Sequence, residues 1–111
     1  MVNSKGEEMA NFQNESTERL FSAIAELKNA KECSDFFEDL CTIKEIQDMA
    51  QRLETAILLC EGENYQSISS KVGVSSATIS RVNRCLNYGT GGYRTVVGRI
   101  GENAENGSKK D

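Results

Sequence analysis

The chain has 111 residues, which is enough for one domain. With 38% hydrophobic and 27% charged residues, the composition is typical of a folded globular protein and excludes a largely disordered chain. No apolar run approaches the roughly 20 residues that a membrane-spanning helix needs. The N-terminal residues also lack the basic-then-apolar pattern of a signal peptide, so we expect a cytoplasmic protein without membrane contact.

The chain contains four cysteines and no histidine, which limits its chemistry. Cys33, Cys41, Cys60 and Cys85 form no CxxC pair, so neither a zinc site nor a disulfide framework is expected. We interpret the cysteines as small, buried apolar residues. The missing histidine removes the commonest general base. We therefore expect no metal, no cofactor and no enzymatic activity.

The net charge of −4 is unevenly distributed along the chain. From Glu63 to Ile100 there are five basic residues and one acidic residue, a net charge of +4. The rest has eight basic and sixteen acidic residues, a net charge of −8. A basic region on an acidic scaffold is typical of a DNA-binding face whose other sides repel DNA.

Apolar residues at steps of three or four predict three helices before residue 62, after a flexible arm at residues 1–13. They begin an all-α domain that we place at residues 14–98. The expected N-caps are Asn14 or Ser16 for the first helix, Ser34 for the second and Thr42 for the third, with Gly62 ending the third.

Two short helices after Gly62 predict a helix-turn-helix at residues 65–86. Gly73 supplies the turn, and Ser69 is the small residue where the helices approach most closely. Ser75 is expected to cap the second helix. The inner faces of both helices are apolar, and their residues are Ile68, Val72, Val74, Ile79 and Val82.

The C-terminal part begins with the glycine-rich stretch at residues 89–92, which lacks the flanking residues of a phosphate-binding loop. We interpret it as a flexible connection. Residues 99–111 are polar and are predicted to form a disordered tail.

The second helix of the predicted motif is expected to read DNA with its outer face. Short side chains near its N-terminus allow the helix to enter the major groove, and serine and arginine side chains can bond to base edges or phosphates. The candidates are Ser75, Ser76, Ala77, Ser80, Arg81 and Arg84 on the second helix, with Ser67, Ser70 and Lys71 on the first as phosphate contacts.

Residues 42–86 resemble the Trp repressor family. The resemblance depends mainly on the run from Ala77 to Arg81, with Gly73, Gln66 and the Gly62–Glu63 step at the matching upstream distances. The stretch from Gly89 to Tyr93 is similar to the YerC/YecD branch. The resemblance implies an intertwined, all-helical homodimer that represses transcription at a double-stranded DNA operator. It also implies that Ser76, Ala77 and Ser80 face the bases.

The resemblance further implies an effector pocket between the long central helix and the recognition helix. Its residues here are Thr42, Arg52, Thr78 and Arg81, and two positions depart from the family pattern. Val82 replaces a glycine and fills space that an indole ring needs, and Cys85 replaces a serine that helps hold the ammonium group. We therefore predict that tryptophan is not an effective co-repressor.

Two further expectations concern partners. Residues 16–60 carry more apolar side chains than a helix-turn-helix can cover, so an obligate homodimer is predicted. The side chains that need a partner surface are Phe21, Ile24, Phe36, Phe37, Ile46, Met49 and Leu53. The acidic net charge favours an alternative function, a protein-interaction module with a degenerate helix-turn-helix that no longer binds DNA.

Overall fold

A computed structural model describes the backbone of residues 4–109 and the side chains of residues 14–103. Within that part of the chain there are six helices and no strands, which confirms the predicted all-α class. The helices are α1 (Ser4–Ala25), α2 (Ala30–Leu40), α3 (Ile43–Cys60), α4 (Tyr65–Val72), α5 (Ser76–Tyr88) and α6 (Gly92–Lys109). None of these helices has the length and apolar character needed to cross a membrane.

The chain divides into two compact units between Thr42 and Ile43. The first unit contains α1 and α2. Asn29, and not the predicted Ser34, caps α2, because its side-chain oxygen accepts a hydrogen bond from the Glu32 amide at 2.9 Å. None of the side chains described in this unit is buried.

The ends of the chain are more helical than the sequence predicted. Helix α1 begins at Ser4, so neither Asn14 nor Ser16 is its N-cap, and α6 extends into the predicted tail. The apolar residues of α6 recur at helical spacing as far as Ile100, although the side chains of residues 99–103 are all exposed. The division into arm, domain and tail stays a prediction. Residues 1–3, 110 and 111 lie outside the described part of the chain.

The second unit is built around α3, which packs against α4, α5 and α6. One buried cluster, Ala56, Val82 and Leu86, joins α3 to α5, and Tyr93 and Val97 of α6 pack against it. A second cluster joins α4 to α5 through Ile68, Val74 and Ile79. Leu59 of α3 packs against both clusters. The apolar side chains of α4, α5 and α6 therefore all pack against α3.

The four cysteines are not buried, which corrects the prediction made from their residue type. Cys33 and Cys41 are half-buried, and Cys60 and Cys85 are exposed. Cys60 is the last residue of α3, where the helix gives way to a turn. Cys85 lies beside the buried face of α5 rather than on it, next to Leu86, which is buried.

Candidate nucleic-acid interface

The turn between α4 and α5 has the geometry that the sequence predicts. Gly73 ends α4 in the left-handed region with φ 82° and ψ 29°. A side chain in this conformation costs about 1–2 kcal/mol even where, as here, its Cβ atom would meet no other atom within 4 Å. Ile68, Val74, Ile79 and Val82 are buried, and Val72 is half-buried, so the predicted inner faces are confirmed.

Side-chain hydrogen bonds fix the two helices at the turn. The Ser75 hydroxyl accepts from the Thr78 amide at 3.2 Å, which confirms Ser75 as the N-cap of α5. Asn64 caps α4 in the same way by accepting from the Ser67 amide at 2.8 Å. The Ser69 hydroxyl donates to the Val74 carbonyl at 2.8 Å and so closes the turn from the α4 side. The sequence indicated Ser69 only as a small residue.

The outer face of α5 is an exposed stripe at helical spacing. Ala77, Ser80, Arg81 and Arg84 lie along it, all of them exposed, and Ser75 and Ser76 are exposed at its N-terminal end. The opposite face carries the buried residues of the helix. All six residues predicted on this helix therefore reach solvent on one element.

The basic residues of the second unit differ in their partners. The Arg94 Nε donates to the Leu86 carbonyl at 2.9 Å, so this guanidinium satisfies the C-terminal end of α5. Lys71 forms an ion pair with Glu63. The side chains of Arg81 and Arg84 make no hydrogen bond or ion pair to any residue in the described part of the chain, and both are exposed. Within the helix-turn-helix, the basic side chains that are exposed and not paired in the described part of the chain are therefore those on the stripe of α5, and Arg99 is a further exposed basic residue on α6.

On α4, the predicted phosphate contacts are in different situations. Ser70 is exposed, whereas both Ser67 and Lys71 are bound to the Glu63 carboxylate. Hydrogen bonds from Lys71 and then Ser67 hold the pKa of the Glu63 carboxyl below its ordinary value. The sequence analysis missed this cluster, although Ser67 and Lys71 are four residues apart on α4 and Glu63 lies four residues before Ser67.

Three residues of the implied effector pocket line two cavities of the second unit. Arg52 and Thr78 line a polar cavity of about 330 Å³ between α3 and the turn, together with Asp48 and Ser75. Cys85 instead lines an apolar cavity of about 540 Å³ formed with Leu53, residues 89–92, Tyr93 and Val96.

The other three pocket residues line neither of these two cavities. Val82 is 1% exposed and packs in the core cluster with Ala56 and Leu86. Arg81 is exposed on α5, and Thr42 is exposed in the first unit. A branched apolar side chain is thus buried at position 82, where the family pattern has glycine.

Comparison with known proteins decides the family. The model of the Trp repressor protein family matches residues 15–100. This chain belongs to the Trp repressor family. The resemblance seen in the sequence is confirmed, and the family is one of regulators rather than enzymes.

Similarity to three known proteins extends over most of the chain. The uncharacterized protein YerC of Bacillus subtilis (strain 168) is 50% identical over 93 residues, which cover 84% of this chain and 89% of YerC. Among solved structures, a TrpR-like protein from Eubacterium eligens ATCC 27750 is 53% identical with a TM-score of 0.75, over 78% of this chain and 90% of that one. A provisionally named Trp repressor from Staphylococcus aureus is 43% identical with a TM-score of 0.74, over 78% of this chain and 86% of that one. The Trp-repressor-like fold is therefore confirmed.

Proposed function

We propose that this protein is a transcriptional regulator that binds double-stranded DNA in a sequence-specific manner. Its helix-turn-helix, α4 and α5, is the DNA-binding element, with α5 as the recognition helix. The observation that carries the proposal is the stripe on α5, where Arg81 and Arg84, exposed and without a partner among the described residues, lie beside small exposed side chains. Membership in the Trp repressor family supports the same function.

The residue types of α5 fit the two tasks of a recognition helix. Ser75, Ser76 and Ala77 are short, so the N-terminal end can approach base edges in the major groove, and Ala77 can contact a thymine methyl group. Ser80 can donate to or accept from a base edge. Arg81 and Arg84, one helical turn apart, can bond to guanine or to phosphate oxygens.

Helix α4 is proposed to contribute contacts to the phosphate backbone. Ser70 is exposed and its hydroxyl can donate to a phosphate oxygen. Ser67 and Lys71 are proposed to join it when the phosphate takes over their bonds to Glu63. Contacts of this kind fix the position of a protein on the duplex without reading its sequence.

The proposed active form is a homodimer that acts as a repressor. Two recognition helices about 34 Å apart meet successive major grooves, so the operator is expected to be a pseudo-palindrome. Occupation of such a site within a promoter excludes the transcription machinery. Tryptophan is not proposed as a co-repressor, because Val82 is buried in the core.

The experiment that tests this function selects DNA from a random pool with the purified protein at low salt and measures binding of the selected duplex by fluorescence anisotropy. Arg84→Ala is expected to weaken binding. If Arg84 holds a phosphate, the loss is the same for all sequences and the salt dependence decreases by about 0.9 in the slope of log K against log[salt]. If Arg84 reads a base, discrimination at that position falls by about 1–3 kcal/mol.

Arg99→Ala is the matched control, because it removes the same charge from an exposed position on α6. It is expected to change binding less than Arg84→Ala does. The Ser80→Ala, Arg84→Ala double variant is expected to lose the selected sequence. Equal binding by that variant and the unaltered protein would show that α5 does not read DNA. No binding by the unaltered protein at low salt would favour a protein-interaction module instead.

A further inference from the structure

Glu63 precedes Asn64, the N-cap of α4, and its carboxylate engages two of the three α4 residues proposed to contact phosphates. Its Oε1 is paired with the Lys71 ammonium, and its Oε2 accepts from the Ser67 hydroxyl at 2.9 Å. The Glu63 side chain is 24% exposed, whereas the Lys71 side chain is 56% exposed. The pair therefore lies at the surface, with the acid as its better-covered member.

The carboxylate changes what α4 presents to a phosphate backbone. Glu63 is the one acidic residue between Glu63 and Ile100, and Lys71 is the basic residue of α4. Their pairing leaves α4 with no net charge toward a ligand. A DNA phosphate that approaches Lys71 must displace the Glu63 carboxylate that is already bonded there. The negative charge of this carboxylate also repels the phosphate. A glutamate carboxyl with its ordinary pKa is already ionised at neutral pH, and the hydrogen bonds from Lys71 and Ser67 hold the pKa of Glu63 lower still.

The arginines of α5 have no such acidic partner in the described part of the chain. The attraction for phosphates that does not depend on sequence is thus reduced on α4, while the side chains that can read bases remain free on α5. A protein that must find one operator among many competing sites depends on the ratio of specific to non-specific affinity. Lowering the non-specific affinity raises that ratio.

We propose that Glu63 is a specificity-determining residue, which neutralises Lys71 and occupies Ser67 so that sequence-independent binding to the DNA backbone stays weak. This inference rests on the DNA-binding function proposed above. It assigns to an acidic side chain, inside an otherwise basic segment, the task of limiting affinity rather than adding to it.

The test compares Glu63→Gln with the unaltered protein in binding to a short duplex of random sequence, by fluorescence anisotropy over a salt titration. Glu63→Gln is expected to bind roughly threefold to fivefold tighter, the change that corresponds to an exposed ion pair. On the random duplex, where Glu63 otherwise retains Lys71, the freed ammonium then contacts a phosphate, so the slope of log K against log[salt] is expected to steepen by about 0.9. The ratio of affinities for selected and random duplexes is expected to fall.

Two variants separate a local effect from a change in net charge. Glu61→Gln removes the same charge from an exposed position two residues away and is expected to bind as the unaltered protein does. The Glu63→Gln, Lys71→Gln double variant is expected to lose the gain, because the freed ammonium is gone. Thermal melting followed by circular dichroism checks that each variant is folded.

The outcomes are distinguishable. If the unaltered protein binds DNA and Glu63→Gln binds no tighter than Glu61→Gln, the role of Glu63 is wrong while the DNA-binding function stands. Weaker binding by Glu63→Gln would show that Glu63 orients Lys71 for the phosphate instead, and this also overturns the proposal. If neither folded protein binds DNA, the proposed function fails and the role of Glu63 fails with it.

Discussion

Val82 is the residue whose burial bears most directly on ligand choice. It occupies the position next to Arg81 where the family pattern has glycine, and its side chain is 1% exposed in contact with Ala56 and Leu86. An indole ring placed there would have to displace packed core atoms. Overpacking of this kind costs about 1–3 kcal/mol, and the weak hydrogen bonding of the Cys85 thiol forfeits a further contribution of similar size.

We therefore predict that L-tryptophan binds at least roughly a hundredfold more weakly than an effective co-repressor would, by about 3 kcal/mol. Isothermal titration calorimetry of the unaltered protein measures this directly. A dissociation constant in the low micromolar range would contradict the prediction. The Val82→Gly, Cys85→Ser double variant restores both family residues and is expected to bind tryptophan more tightly. Its titration is carried out well below its melting temperature, so that the variant is folded.

At the scale of elements, the hydrogen bond between Ser69 and Val74 ties α4 to the first residue after the turn. Ser69→Ala removes the hydroxyl and leaves the Val74 carbonyl without this donor, on a residue that is 8% exposed. An unsatisfied buried acceptor costs about 1–3 kcal/mol. We expect the free energy of unfolding, measured by urea denaturation, to fall by that amount.

Ser70→Ala is the matched control for this variant, because Ser70 is the exposed neighbour on the same helix. It is expected to change the free energy of unfolding by less than about 0.5 kcal/mol. Equal stabilities of the two variants would show that the Ser69 hydroxyl does not contribute to the turn. A loss in the Ser69 variant alone would assign it a structural role separate from any contact with DNA.

The sequence predicted the central elements well because their local signals and their packing agree. Gly73, Ser75 and the apolar spacing of α4 and α5 are each sufficient to place the turn, and together they fix it. The start of α2 was predicted wrongly, because Asn29 and Ser34 are both competent N-caps and the choice depends on which turn the chain completes. Helix α6 was not predicted, although its apolar residues recur at helical spacing as far as Ile100, because the glycines before it and the polar residues after it were interpreted as connection and tail.

The residues of the candidate site could be predicted from the sequence, but the hydrogen bonds and ion pairs that these residues make could not. The exposed stripe on α5 follows from helical spacing alone. The pairing of Lys71 with Glu63, and of Arg94 with the end of α5, decides which cations are available, and each arises from contacts eight residues apart. The exposure of Cys85 also depended on packing, since a cysteine is as compatible with the edge of a helix face as with its centre.

At the scale of the whole molecule, the distribution of apolar side chains bears on the oligomeric state. In the first unit Phe21 is 62% and Leu40 51% exposed, and in the second unit Ile43 is 76%, Val96 46% and Ile100 43% exposed. Full burial of one such side chain is worth roughly 1.5–3 kcal/mol. Their burial against a second copy of the chain would therefore add to stability, and this supports the proposed dimer.

We predict an obligate homodimer, and multi-angle light scattering at micromolar concentration is expected to give twice the chain mass of 12.2 kDa. Phe21→Ser is expected to shift the equilibrium toward the monomer or to lower the melting temperature in a concentration-dependent way, because it removes an apolar side chain from the proposed interface. Ala23→Ser, two residues along α1 and therefore on the opposite side of the helix, is the control and is expected to remain dimeric. A folded monomer of 12.2 kDa at micromolar concentration would contradict the dimer, and with it the expected spacing of two recognition helices on a pseudo-palindromic operator.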